Sequence, residues 1–156
     1  MKAKFTCKVQ LAKHDLDEVI EKGEVDFQQF LKEFNAVDWV FEADRLQFLN
    51  QTEPAIGVTN HENGAVLWTS PYRPLPPDFL DEDEFRHFMA VWFLVRLDNP
   101  PNPPEVTRFD TGVSLSDCYF ETCDMDEVAD LFEMFFNDDY RSLYESLYSM
   151  EMVPEF

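Results

Sequence analysis

The chain contains 156 residues, a length that predicts a single domain over residues 1–156. Hydrophobic residues make up 45% of it, with 16 Phe, 3 Trp and 5 Tyr, which excludes a disordered acidic tail because such tails are poor in aromatic residues. A formal net charge of −20, from 32 acidic and 12 basic residues, argues against direct binding of nucleic acid or of an anionic membrane surface.

The first predicted elements are a strand and two helices. Phe5–Leu11 alternates apolar and polar residues, as a half-buried strand does. Asp15 is suited to cap a short helix that ends at Gly23. Asp26 with Gln29 resembles a capping box, which predicts a second helix with an apolar stripe at helical spacing. The stripe consists of Phe27, Phe30, Leu31 and Phe34.

The hydrophobic period changes to two after residue 38, which predicts strands. The first two are expected at Trp39–Phe41 and Arg45–Leu49. Ala55–Thr59 and Ala65–Thr69 flank a turn in which Gly64 can adopt a positive φ, so these two runs are predicted to form a β-hairpin.

The next part of the chain is predicted to alternate loops and strands. Pro71 and the three prolines that follow it by residue 77 predict an extended loop. The periodicity of Phe85–Leu97 is compatible with a strand or a buried helix, and its β-forming residues favour the strand. Asn99–Pro104 is a stiff, proline-rich connection, and Val106–Phe109 with Val113–Phe120 is predicted to form an antiparallel pair.

The C-terminal part is predicted to be helical. Asp124 can cap a helix with Glu127 at its third position, and a last helix is expected to begin at Asn137 or Asp138. The predicted inward-facing residues of these two helices are Val128, Leu131, Phe132 and Phe135, followed by Tyr140, Leu143, Tyr144 and Leu147. The predicted fold class is therefore α+β, an antiparallel sheet of about five to seven strands covered by N-terminal and C-terminal helices.

The sequence contains no motif for a cofactor, a metal ion or a catalytic residue. Its four glycines are scattered singly, whereas a phosphate-binding loop needs several together. Cys118 and Cys123 have no histidine at zinc-ligand spacing. The residues from Asp124 begin like a calcium loop, but Phe135 occupies the position of its bidentate glutamate. We therefore predict no catalytic site, no metal site and no cofactor.

The chain is expected to be cytoplasmic. Three cysteines are an odd number in a chain that is not small, which disfavours a disulfide framework. No charged and then apolar leader precedes the first strand, and the longest apolar run, Phe88–Val95, is too short to cross a bilayer.

Two clusters of acidic residues are the candidate contact surface for a basic partner, because carboxylates steer and select such partners. One cluster follows the proline-rich loop, and the other lies along the C-terminal helices beside tyrosines at helical spacing. The alternative interpretations are a solvated acidic surface and a tyrosine stripe packed on the core. The candidate partner-binding residues are Asp78, Asp81, Glu82, Asp83, Glu84, Asp126, Asp130, Glu133, Asp138, Asp139, Tyr144 and Tyr148.

In size, acidity and lack of a catalytic motif, the chain resembles the small cytosolic immunity proteins of bacterial polymorphic-toxin and contact-dependent inhibition systems. The segments behind this resemblance are Asp78–Glu84 and Asp124–Asp139. The resemblance implies an antitoxin that neutralises one cognate toxin, often a basic nuclease, by covering its active site or a nearby surface. Carboxylates would pair with Lys and Arg of the toxin, while one or two aromatic side chains fill a pocket.

Two other functions remain open at this point. A nucleic-acid mimic that blocks a DNA-binding defence complex would use the same negative charge, and it would bind several DNA-binding proteins rather than one. A hydrolase with paired carboxylates would need a concave pocket and a carboxyl group of raised pKa. The sequence leaves the oligomeric state and the identity of the partner open.

Overall fold

The computed structural model describes residues 4–11, 20–45, 54–72, 91–101 and 118–154. These residues form a seven-stranded antiparallel sheet with helices packed on it, which confirms the predicted α+β fold. The strands are β1 Phe5–Gln10, β2 Ile20–Glu24, β3 Ala55–Asn60, β4 Val66–Tyr72, β5 Trp92–Asp98, β6 Cys118–Thr122 and β7 Glu151–Pro154. The described helices are α1 Phe27–Ala36, α2 Trp39–Arg45, α3 Met125–Phe136 and α4 Tyr140–Ser149.

The sheet is close to a simple meander, with strand order β2-β1-β3-β4-β5-β6-β7. Successive side chains of a strand point to opposite faces, and the predicted alternation of β1 is confirmed by the burial of Phe5, Cys7 and Val9. The same face receives α2 over β4 and α3 over β4, β5 and β6, while α1 and α4 pack against α3. The core therefore lies between one face of the sheet and the helices.

Aromatic rings join the helices to each other and to the sheet. The rings of Phe30 on α1 and Phe132 on α3 stack with their centroids 4.2 Å apart. Phe136 at the end of α3 reaches Phe5 on β1, with centroids 4.8 Å apart. Burying one such side chain contributes roughly 1.5–3 kcal/mol, so this aromatic layer is the main source of stability in the helix–sheet contact.

Aspartate side chains fix where three helices begin. Asp26 accepts a hydrogen bond from the backbone of Gln29, whose side chain accepts one in return, so the predicted capping box is confirmed. Asp124 caps α3, as predicted, through the backbone N–H of Asp126. The last helix is capped by Asp139 rather than by Asn137 or Asp138, because Asp138 adopts a left-handed conformation with φ of 56° that ends α3.

The predicted helix before Gly23 is wrong for its described part. Residues 12–19 lie outside the described residues, but residues 20–24 form strand β2. Cys7 lies opposite Gly23 and Lys8 opposite Glu21, so Lys22 is an extra residue in β2. The φ of 78° at Gly23 suits the bulge that this extra residue creates. Glycine therefore marks a bulge here and not a helix end.

The predicted strand Trp39–Phe41 is also wrong, because these residues begin helix α2. The side chain of Asp38 accepts a hydrogen bond from the backbone N–H of Phe41 at 3.1 Å and so caps the helix. The indole N–H of Trp39 donates to the buried carbonyl of Phe34 at 2.9 Å, which turns the ring into the core. Arg45 is the last residue of α2 rather than the start of a strand, and residues 46–49 lie outside the described part.

The hairpin of β3 and β4 is confirmed, with Gly64 at φ of 79° in its turn. Pro71 belongs to β4 and not to a loop, which corrects the prediction. Pro71 pairs with Phe93 of β5. Because the ladder between β3 and β4 runs only from Ile56 to Thr59, no described residue of β3 pairs with Pro71 on its other side.

The remaining strands agree with the prediction in part. Residues 92–98 form strand β5, as favoured, while residues 85–90 and most of the two strands predicted between 106 and 120 lie outside the described residues. Strand β7 follows α4 directly and pairs with β6, although the sequence predicted only helix there. The sheet therefore ends on a C-terminal strand that a run of four residues was too short to predict.

Candidate functional site

The candidate contact residues fall into four groups, three of which lie in the described part of the chain. Asp78, Asp81, Glu82, Asp83 and Glu84 lie outside the described residues. The others lie on the outer face of α3, at the corner between α3 and α4, and on α4. Only the last three places can be compared with the prediction.

The outer face of α3 presents the three carboxylates predicted for it. Asp126, Asp130 and Glu133 are all exposed. They lie opposite the buried stripe of the same helix because that stripe packs against the sheet and α1. The buried residues are Val128, Leu131, Phe132 and Phe135. We call the three exposed carboxylates the α3 acidic face.

Among the described residues, no positive charge pairs with the α3 acidic face. Helix α3 contains no Lys or Arg, and within the described parts of the chain no ion pair involves these three residues. Asp126 lies in the first turn, where the helix dipole favours an anion. Asp130 and Glu133 lie beyond that turn, and like charges at this spacing cost a few tenths of a kcal/mol per pair. The face is therefore electrostatically unfavourable for the isolated fold.

The corner acids Asp138 and Asp139 have structural contacts. Asp138 accepts hydrogen bonds from the ammonium group of Lys4 and, at 3.1 Å, from the amide of the buried Asn60. Asp139 accepts from the backbone N–H of Ser142 at 3.3 Å as the cap of α4. Asp138 thus ties the helical corner to β1 and to the hairpin, and both carboxylates are partly committed to the fold.

Lys4 is a basic residue that pairs with this corner. The hydrogen bond to Asp138 raises the pKa of the Lys4 ammonium, and Glu62 at 3.4 Å adds to the effect. Lys4 is 37% exposed in its side chain, so water weakens both ion pairs. The corner is consequently closer to neutral than the α3 acidic face.

The two tyrosines proposed as contact residues pack mainly on the core. Tyr144 is 9% exposed, and its hydroxyl donates to the carbonyl of Pro101. Burial raises the pKa of Tyr144 to about 12. Tyr148 is half-buried, and its ring meets Phe120 edge-on with centroids 6.4 Å apart. The alternative interpretation, a stripe packed on the core, therefore describes Tyr144, while Tyr148 keeps some surface.

A cleft of about 700 Å³ lies between the hairpin turn and α4. Its walls include Tyr140, whose hydroxyl accepts hydrogen bonds from the amides of Asn60 and Asn63 at 2.9 and 3.0 Å. Its carboxylates, Glu62 and Asp138, both contact Lys4. Its hydrogen-bonding groups mainly satisfy one another, which indicates a structural junction.

Sequence reasoning missed three exposed apolar side chains. Val40 and Phe41 on α2 are 49% and 50% exposed, and Met125 at the start of α3 is 38% exposed. The exposure of Val40 and Phe41 depends on α2 being a helix, and the hydrophobic period of two concealed this. The capping residue Asp38 was the one local signal that could have revealed it.

Chemistry by cysteine is disfavoured at Cys7. Its thiol is fully buried on β1, and burial raises its pKa to about 12, so it stays protonated and weakly nucleophilic. Cys123 is exposed. In the described residues, no three His, Cys, Asp or Glu side chains come together as a metal site would require.

None of the described helices combines the length and apolar character needed to span a membrane. A scan against protein-family models finds no match, and searches of curated proteins and of solved structures find none either.

Proposed function

We propose that this protein is a binding protein that recognises a basic partner protein through the α3 acidic face. As the class of function we propose an immunity protein, an antitoxin that neutralises a basic, nuclease-like toxin by stoichiometric binding. The single observation behind the proposal is that Asp126, Asp130 and Glu133 are exposed together on one helix without a described counter-charge.

The energetics support a functional role for this face. Beyond the first turn, a fold gains nothing from like charges along a helix, and it loses a few tenths of a kcal/mol per pair. A basic partner would make the electrostatic free energy of this face favourable by placing Lys or Arg beside each carboxylate. The cost to the free protein is therefore recovered only in the complex.

The protein would act by covering a surface of the toxin and not by catalysing a reaction. Complementary charge speeds encounter with a basic surface and selects against acidic proteins. The bound domain, backed by the aromatic layer beneath α3, would then cover the active site or a nearby surface of the toxin. A nucleic-acid mimic would use the same charge, but it would bind several DNA-binding proteins instead of one.

A matched pair of charge-reversal variants tests the proposal. The first carries Asp126→Lys, Asp130→Lys and Glu133→Lys. The control carries Glu21→Lys, Glu24→Lys and Glu62→Lys, three acids on β2 and the hairpin turn. Both variants have a formal net charge of −14, which is −20 plus three changes of two.

The measurement is capture of proteins from native cell lysate, followed by titration with the purified captured protein. We expect one basic protein, bound one to one, to be lost from the first variant and retained by the control. Equal loss from both variants would mean that net charge alone drives binding, as for a mimic. Retention by both would remove the α3 acidic face, and a third variant that reverses the acids of Asp78–Glu84 would then test the other cluster.

A further inference from the structure

The three exposed apolar side chains come from two helices that are separate in sequence. Among the described residues, Val40, Phe41 and Met125 are the large hydrophobic residues with more than a third of their surface exposed. On α2 the inward positions are Trp39, Glu42 and Ala43, so the two residues between them face outward. Single exposed apolar residues are normal, but a group of them marks an interaction site.

The packing of α1 against α3 places the end of α1 beside the start of α3. Phe27 contacts Phe136 with ring centroids 6.0 Å apart, and Phe30 contacts Phe132 at 4.2 Å, so the two helices run antiparallel. Continued along this register, the end of α1 at Val37 lies opposite Met125. Helix α2 begins two residues after Val37, at the end of α1 that this register directs toward the first turn of α3.

The sheet anchors both helix starts at the same place. The ring of Trp39 lies 5.8 Å from that of Phe93, and Phe93 is paired with Thr122 across β5 and β6. The hydroxyl of Thr122 accepts a hydrogen bond from the backbone of Asp124, the cap of α3, at 3.1 Å. The start of α2, which carries Val40 and Phe41, and the start of α3, which carries Met125, are therefore both tied to the paired residues Phe93 and Thr122.

We propose that Val40, Phe41 and Met125 form the apolar centre of a protein-binding surface whose charged rim is the α3 acidic face. The partner that binds this surface is a basic protein with an apolar pocket bordered by Lys or Arg. This inference rests on the proposed function and specifies where the partner docks. It also supplies the aromatic anchor that the sequence had placed at Tyr144 and Tyr148, since binding energy concentrates in a few central, apolar residues within a polar rim.

Charge complementarity favours a basic protein over a second copy of the chain or a membrane surface. A second copy of the chain would bring another net charge of −20 to the same carboxylates, which disfavours self-association. An anionic membrane surface would be repelled for the same reason. A basic protein gains both from burying the apolar group and from pairing with the rim.

The test uses the purified captured partner and two kinds of variant. Phe41→Ala and Val40→Ala remove apolar surface at exposed helical positions where alanine is a good helix former, so the fold should survive. We expect Phe41→Ala to raise Kd about tenfold, which corresponds to about 1.4 kcal/mol, through faster dissociation and with no change in salt dependence. Neutralising the rim should instead slow association and flatten the salt dependence.

Photo-crosslinking then locates the contact. A photoreactive phenylalanine analogue at position 41 should crosslink to the partner, whereas the same residue at the exposed position of Gln28 on α1 should not. Sedimentation of the wild-type protein alone tests whether a second copy of the chain binds this surface, and we expect the protein to remain monomeric.

The outcomes separate this inference from the proposed function. If a basic partner is captured but Phe41→Ala binds normally and position 41 does not crosslink, the docking surface is wrong and the proposed function stands. If the wild type self-associates and Phe41→Ala does not, the surface is a homodimer interface and the inference is overturned. If no protein is retained by the wild type, the proposed function fails and the inference fails with it.

Discussion

At the scale of single residues, Asp138 combines an unusual backbone conformation with two contacts. Its φ of 56° lies in the left-handed region, which glycine and asparagine tolerate better than most residues. Its carboxylate accepts hydrogen bonds from Lys4 and Asn60. The backbone and the side chain are therefore used together to join α3 to β1 and the hairpin.

Replacing Asp138 should separate these two roles. Asp138→Ala loses both contacts and places a β-carbon in the left-handed region, so we expect a loss of about 1–3 kcal/mol in the free energy of unfolding. Asp138→Asn keeps a residue suited to that conformation and loses only an exposed ion pair, which is worth about 0–1 kcal/mol. Urea denaturation measures both, and equal losses would contradict this division.

The buried thiol of Cys7 should make the fold sensitive to alkali. Its folded pKa is raised to about 12, while an unfolded thiol titrates near about 8.5. The unfolded chain therefore loses this proton first, so the contribution of Cys7 to stability is constant below about pH 8.5 and is lost as the pH rises toward 12.

The fall in the free energy of unfolding is expected to reach at most about 1.4 kcal/mol per pH unit. The free energy of unfolding should be measured between pH 8 and 10, where Lys4 and Tyr144 titrate little. The raised pKa values of these two residues also lower stability as the pH rises, but at higher pH. Cys7→Ala should show a flatter dependence than the wild type. Parallel curves for the two proteins would show that this thiol is not responsible.

At the scale of elements, α3 has an inner face that stabilises the fold and an outer face that opposes it. The inner face packs Phe132 and Phe135 into the core, each fully buried. The outer face places Glu133 near the helix C-terminus, where the helix dipole disfavours an anion. Stability and binding should therefore respond in opposite directions to changes on the outer face.

Neutralising part of the α3 acidic face should raise stability and weaken partner binding. Asp130→Asn with Glu133→Gln removes like-charge repulsion, so we expect the free energy of unfolding to rise by a few tenths of a kcal/mol. Affinity for the partner should fall in the same variant. Asp124→Ala is the control, because loss of the cap should lower stability by about 1 kcal/mol. Lower stability in the neutralised variant would contradict the account.

The elements that the sequence predicted are those whose signals are local. The capping residues Asp26 and Asp124 and the alternation of Phe5–Gln10 act within a few residues, and all three predictions are confirmed. Helix α2 was mistaken for a strand because the position of Trp39 depends on a hydrogen bond to Phe34 and on packing against Phe93. Tertiary contacts overrode the local pattern there.

The candidate site also contains some residues that local sequence patterns predict and others whose exposure depends on tertiary packing. The α3 acidic face followed from helical spacing alone, since an inward stripe forces Asp126, Asp130 and Glu133 outward. The exposure of Phe41 could not follow, because it requires both the helical state of α2 and the packing of that helix on β4. The burial of Tyr144 likewise depends on the packing of α4 against α3.

At the scale of the whole molecule, charge and architecture act together. The sheet and the aromatic layer hold α3 in place, while a net charge of −20 repels acidic molecules and attracts basic ones over roughly a Debye length of 8–10 Å. Net charge alone makes binding unselective, so selectivity must come from where the exposed carboxylates and apolar side chains lie.

The most direct test of the account compares partner binding by the two variants of equal charge, one reversed at Asp126, Asp130 and Glu133 and the other at Glu21, Glu24 and Glu62. The measurement is Kd for the purified captured protein at low salt. We expect reversal of the α3 acidic face to abolish measurable binding, while the Kd of the control stays within a few-fold of the wild-type value. Equal affinity for the two variants would contradict it.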